Sequence, residues 1–215
     1  MNKELFKRIL SSIILLPLVL FVIVEWSYFF FIFFLILFLI CSYEWHLMSK
    51  KKTYHLFGFI FLLISFFFAY KLRYNGEGEY YSFLLVTIIC VLTDIGGYVF
   101  GKIFKGPKLT KYSPNKTYSG VIGSYVFAIF SVPLTISIGI ISEKNTLILS
   151  IFVFFISTIS QLGDICISYF KRISKIKDTG KIIPGHGGLL DRIDGMIFAY
   201  PFSYIIMLNS YFKII

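Results

Sequence analysis

The chain has 215 residues, of which 57% are hydrophobic, 20% aromatic and only 15% charged. A soluble domain averages about 45–50% apolar and about 25% charged, so this composition excludes a soluble enzyme, a disordered tail and a disulfide scaffold, and it fits an integral membrane protein. The net charge of +10 would suit a nucleic-acid binder, but the charges lie at the ends of apolar runs, so the bilayer and not nucleic acid is the expected partner.

Seven spans are predicted, at residues 9–24, 27–43, 56–70, 80–100, 120–141, 146–163 and 195–212. Several are shorter than the ~20 residues that cross a bilayer squarely, so thinning of the bilayer or reaching Trp, Tyr and Lys side chains must make up the length. An open sheet would leave unpaired backbone groups in hydrocarbon, so the expected fold class is all-α, a polytopic helix bundle. Lys7-Arg8 before the first apolar run resembles a signal peptide. No Ala occurs before Ala69 and Glu25-Trp26 follows the run at once, so a retained first span is expected. Cys41, Cys90 and Cys166 form no CxxC or Cys/His cluster and read as small buried hydrophobes. No internal repeat stands out. The chain reads as one domain, with residues 1–79 holding the N-terminal spans and 80–215 the half in which the candidate functional loops fall.

Orientation follows from Lys and Arg. With the N-terminus cytoplasmic, the inside segments hold Lys3, Lys7 and Arg8, then Lys50–Lys52, then Lys102, Lys105, Lys108, Lys111 and Lys116, and last Lys171, Arg172, Lys175, Lys177, Lys181 and Arg192. Only Lys71, Arg73, Lys144 and Lys213 fall outside. A basic cytoplasmic face is general for membrane proteins and attracts anionic lipid; it does not by itself imply catalysis.

Two inside loops carry the candidate chemistry. The longer is expected to follow the sixth span and to run from Gly163-Asp164 through Lys171-Arg172, Lys177-Asp178 and Pro184-Gly185-His186-Gly187-Gly188 to Asp191-Arg192-Ile193-Asp194. Asp191 and Asp194, three residues apart, would share one face of the helix that opens the seventh span. They read as a helix cap or as ligands of a divalent metal, Mg²⁺ needing only one or two carboxylates beside water and phosphate. Asp164 could complete that set. In the glycine-rich stretch, Gly187 and Gly188 would let successive N–H groups cup phosphate. His186 reads as a phosphate donor ahead of a general base, or as a structural loop residue. Lys171, Arg172, Lys177 and Arg192 are candidate phosphate clamps. The second loop, Ser113-Pro114-Asn115-Lys116-Thr117, offers hydroxyls and a lysine for phosphate, or is simply a solvated basic loop. Asp94, inside the fourth span, is expected to face a polar cavity with Asp164 or a lysine. Glu44, closing the second span, reads as a residue that snorkels.

At these residues the chain resembles the phosphatidate cytidylyltransferases, or CDP-diacylglycerol synthases. Ser168, Lys171, Arg172, Lys177, Asp178, Gly180, Pro184, His186, Gly187, Gly188, Asp191, Arg192 and Asp194 meet every element of the family signature at its spacing. Ser113, Pro114, Lys116, Thr117, Asp94 and Gly163-Asp164 also fit the family pattern. Ser119-Gly120, where an acid is expected before the glycine, departs from it. The resemblance covers about the C-terminal 125 residues, the first three spans matching only as apolar helices.

The resemblance implies transfer of CMP from CTP to phosphatidic acid at the cytoplasmic side of the cell membrane, giving CDP-diacylglycerol and pyrophosphate. It implies Mg²⁺ on Asp164, Asp191 and Asp194, and it leaves a second, monovalent cation and a homodimer open. Lys171, Arg172, Lys177, Asp178, His186 and Arg192 would be catalytic. Asp94, Ser113, Pro114, Lys116, Thr117, Ser168, Gly187 and Gly188 would bind substrate. Two alternatives stand beside this reading: an integral-membrane lipid kinase using CTP or ATP, and a non-enzymatic transporter or assembly factor, which would leave the His-Gly-Gly and Asp-Arg-x-Asp cluster without a purpose.

Overall fold

A computed structural model describes residues 23–24, 27–74, 80–139, 146–180, 182 and 187–208. The first expected span, apart from its last two residues, lies outside them, as do Pro184, Gly185 and His186. Eight helices are seen among the described residues: α1 (Ser27–Ser49), α2 (His55–Arg73), α3 (Tyr81–Phe104), α4 (Tyr118–Ile129), α5 (Ser131–Ser137), α6 (Thr146–Ile173), α7 (Leu190–Ile193) and α8 (Met196–Met207). No strand occurs among them, and Lys108 and Thr117 form an isolated bridge. Among the described residues, five stretches are long and apolar enough to cross a membrane: Tyr28–Ser49, His55–Arg73, Tyr81–Phe104, Tyr118–Ser137 and Thr146–Ile173. The protein is therefore an all-helical membrane protein. Met196–Met207 is a shorter apolar helix.

Two expectations about element ends are corrected. The sixth span does not give way to a loop at Gly163; α6 continues to Ile173, so Asp164, Ser168, Lys171 and Arg172 are helical. Its buried positions Leu149, Phe152, Ile156, Ser160, Gly163 and Ile167 recur every three to four residues, the period of one helix face. That stripe runs past the end of the hydrophobic stretch. The helix stops where Lys175 takes a left-handed φ of 58°. Asp191 and Asp194 do not share a helix either, since α7 ends at Ile193 and Asp194-Gly195 is a turn before α8.

The chain divides into two compact units, Met1–Phe66 with Phe170–Ile193 and Phe67–Tyr169 with Asp194–Ile215. In the first, Phe66 meets Phe34 and Phe38 at centroid distances of 4.9 and 5.4 Å. Trp45 packs against Tyr54 and Phe170 and donates to the His55 carbonyl at 3.0 Å. Gly58 makes room for the Trp45 indole, since a Cβ there would fall 1.8 Å from it.

In the second unit, α3 and α4 touch backbone to backbone. A Cβ on Gly96 would lie 2.2 Å from the Gly123 carbonyl oxygen, and one on Gly123 would lie 2.6 Å from that of Gly96. Small residues at a helix crossing let dispersion and polar contacts act at short range where lipid supplies no hydrophobic drive. The polar contacts are present: Ser124 Oγ donates to the Thr93 carbonyl at 2.8 Å, and Thr93 Oγ1 to Ser157 Oγ at 2.9 Å. Tyr200 of α8 stacks on Phe83 of α3.

Candidate active site

In the second unit, the loop between α3 and α4 folds back on itself. The Leu109 N–H donates to the Lys116 carbonyl at 2.8 Å and the Lys116 N–H to that of Ser113 at 3.1 Å. This sends the Lys116 side chain to α6, where Nζ donates to Asp164 Oδ2 at 2.6 Å. Asp94, Ser113, Lys116, Thr117, Gln161 and Asp164 line a cavity of about 260 Å³. Thr117 has a second task. Its hydroxyl caps α4 by accepting the Gly120 N–H at 3.1 Å, one of the donors a helix start leaves unpaired. Ser168 is nearly buried on α6.

Asp194 stands in the turn, Oδ1 accepting the Gly195 N–H at 3.1 Å. The turn rests on α6 because both sides are glycine: a Cβ on Gly163 would meet the Asp194 carbonyl oxygen at 3.0 Å, and one on Gly195 would meet the Ser160 carbonyl oxygen at 3.0 Å. Helix propensity is low at Gly195, and the close approach sets the break that separates Asp194 from α7.

In the first unit, Lys171 in the last turn of α6 donates from Nζ to Asp191 Oδ1 at 2.7 Å, the two side chains 10% and 9% exposed. Asp191 Oδ2 accepts the backbone N–H of Thr179 at 2.8 Å and of Gly188 at 3.2 Å. The lysine expected to clamp phosphate thus holds an aspartate. The expected phosphate cup is also altered, because the N–H groups of Gly188, Leu189 and Leu190 all point to carboxylates. Gly187 keeps a φ of +83°, which a residue with a Cβ adopts only under strain. Arg172, Lys177, Asp178 and Arg192 are exposed, and Arg172 Nη1 donates to the Ile176 carbonyl at 3.0 Å.

Glu44 is the residue that sequence reasoning undervalued. It is 1% exposed and does not snorkel. Its carboxylate accepts the Thr179 hydroxyl at 3.0 Å and the N–H groups of Leu189 and Leu190 at 2.9 and 2.8 Å. A single glutamate inside α1 gives no local signal of partners some 135–146 residues away; only its place in an apolar run hints at a buried role.

Among the described residues no three His, Cys, Asp or Glu side chains form a ready-made metal cage. A cation held by one or two carboxylates with water and phosphate does not need one. Asp164 fits that requirement. Its Oδ1 is buried and takes no hydrogen bond among the described residues. It faces the space left by Gly195, where a Cβ would lie 2.8 Å from it. An unpaired buried carboxylate oxygen is costly in a dry setting, and a cation would relieve that cost.

The sequence model described as "Cytidylyltransferase family" matches residues 53–210, a span that begins ahead of α2 and takes in both lysine–aspartate pairs. A phosphatidate cytidylyltransferase of Staphylococcus aureus (strain COL) is 37% identical over 180 residues, 80% of this chain and 67% of its own. One of Staphylococcus saprophyticus is 34% identical over 179 residues, 80% of this chain and 66% of its own. One of Staphylococcus epidermidis (strain ATCC 12228) is 34% identical over 180 residues, with 80% and 67% covered. The chain spans about two thirds of the length of these relatives.

Proposed function

Because the chain belongs to the cytidylyltransferase family, we propose that it is a phosphatidate cytidylyltransferase, moving CMP from CTP to phosphatidic acid and releasing pyrophosphate. The observation that carries this is the family match over residues 53–210, within which lie Lys116, Asp164, Lys171 and Asp191. A lipid kinase is not favoured, since the relatives that match are named for cytidylyl transfer.

The chemistry asks for little acid–base work and much charge management. The attacking phosphate oxygen is already anionic, so no strong base is required. Two phosphate-bearing anions must meet, and cationic groups offset that repulsion and the charge growing on the leaving pyrophosphate. Arg172, Lys177 and Arg192, which are exposed, would bind phosphates, with Ser113 and Thr117 adding hydroxyls. Asp164, Asp191 and Asp194 would hold Mg²⁺, which supplies Lewis-acid stabilisation of phosphoryl oxygens; the orphaned Asp164 oxygen supports this. Lys116 neutralises Asp164 and Lys171 neutralises Asp191. Seven spans with a cytoplasmic N-terminus would put both basic loops at the cytoplasmic surface, where a charged headgroup and a water-soluble nucleotide can both reach them.

The test is product identification. Purified chain with phosphatidic acid, CTP and Mg²⁺ should yield CDP-diacylglycerol by mass spectrometry, and a chelator should abolish it. Diacylglycerol pyrophosphate in its place would establish the kinase reading.

A further inference from the structure

We propose that Glu44, on a helix outside the signature, is a positioning residue that holds two stretches of the signature, Thr179–Gly180 and Gly188–Leu190, in the arrangement that substrate meets. The inference rests on the function proposed above for the signature. Two carboxylates pin the same two short stretches of chain. Asp191 takes the N–H of Thr179 and of Gly188. Glu44 takes the Thr179 hydroxyl and the N–H of Leu189 and Leu190. Thr179 thereby bridges both acids.

Two signature glycines are shaped to Glu44. A Cβ on Gly180 would lie 2.4 Å from its Oε1, and one on Gly188 would lie 2.6 Å from its Oε2. The three atoms nearest to a Cβ at Gly180 all belong to the Glu44 side chain. Glycine at 180 is therefore required by the glutamate. A buried charge is costly unless its hydrogen bonds are complete, and three donors converging on one side chain call for a group that only accepts. Glutamine cannot replace it, because its NH₂ would face a donor. Loop residues held this way lose little order on meeting substrate, which is how supporting groups preserve catalytic geometry.

The experiment uses the full chain in detergent. In Glu44→Gln, hydrogen exchange at the Leu189 and Leu190 amides should speed up by about tenfold or more, and the KM for CTP should rise on the order of tenfold. Unchanged exchange, or a lower kcat at unchanged KM, would overturn the proposal, since a merely structural role alters the amount of active protein and not substrate affinity. A second set of variants decides should Glu44→Gln not fold. Gly180→Ala should raise the KM for CTP, and adding Glu44→Asp, which withdraws the carboxylate by one methylene, should bring it back toward the original value. Additive losses would contradict the proposal. The exchange measurement needs no turnover, so a chain that made no CDP-diacylglycerol would sink the proposed function and still report on Glu44.

Discussion

Lys171 and Asp191 lie 20 residues apart in the chain and 2.7 Å apart in space, in a pair almost closed to solvent. A buried pair is weak evidence for net stability, but breaking it strands one charge, at a cost of about 3–5 kcal/mol. Lys171→Met should therefore destabilise more than Lys171→Met combined with Asp191→Asn, read as the melting point of the detergent-solubilised protein. Simple addition of the two single effects would mean the pair is not coupled.

Lys116 and Asp164 form the corresponding contact in the other unit, at 2.6 Å. Asp164→Asn should lower kcat by about 10²-fold and raise the Mg²⁺ concentration needed for half-maximal rate. Its elution profile on gel filtration should match the original. A variant with an unchanged Mg²⁺ requirement would remove Asp164 from the cation site.

Thr117 separates two roles that occupy one hydroxyl. Thr117→Val loses the α4 cap, worth about 0.5–2 kcal/mol, while Thr117→Ser keeps it. Parallel losses of melting temperature and turnover in Val, with both retained in Ser, are expected. Lost turnover in Ser at full stability would assign the methyl group a substrate contact instead.

The α3–α4 crossing predicts a structural lesion with no chemical component. Gly123→Leu would drive its side chain into the Phe100 ring and the Gly96 carbonyl, each within 2.6 Å of a bare Cβ. Overpacking of this kind costs typically about 1–3 kcal/mol or more. The yield of monodisperse protein should fall sharply, and whatever folds should retain its KM for CTP.

Much of this architecture can be read from residue order. Apolar runs mark the helices, and the spacing of charged residues from Ser168 to Asp194 points to the family. The misreadings have a common cause. Hydropathy ends at Gly163 while the buried stripe continues through Ile167, so the end of apolarity is not the end of the helix, and the three-to-four-residue spacing is the better signal. The i, i+3 placement of Asp191 and Asp194 assumes an unbroken helix, and the break at Gly195 depends on the close approach of α6, a tertiary contact. Glu44 is decided by partners far along the chain. The partners of Lys116 and Lys171 are not legible in the sequence, because a lone sequence shows charge without showing what neutralises it.

The central claim concerns which part of CTP reaches the lipid, and a double-label experiment measures it directly. With CTP carrying one label in its cytosine ring and another in its γ-phosphate, the ring label should enter the chloroform-soluble fraction and the γ-label should leave as pyrophosphate, one for one. Transfer of the γ-label to lipid, with the ring label left in solution as CDP, would contradict the account.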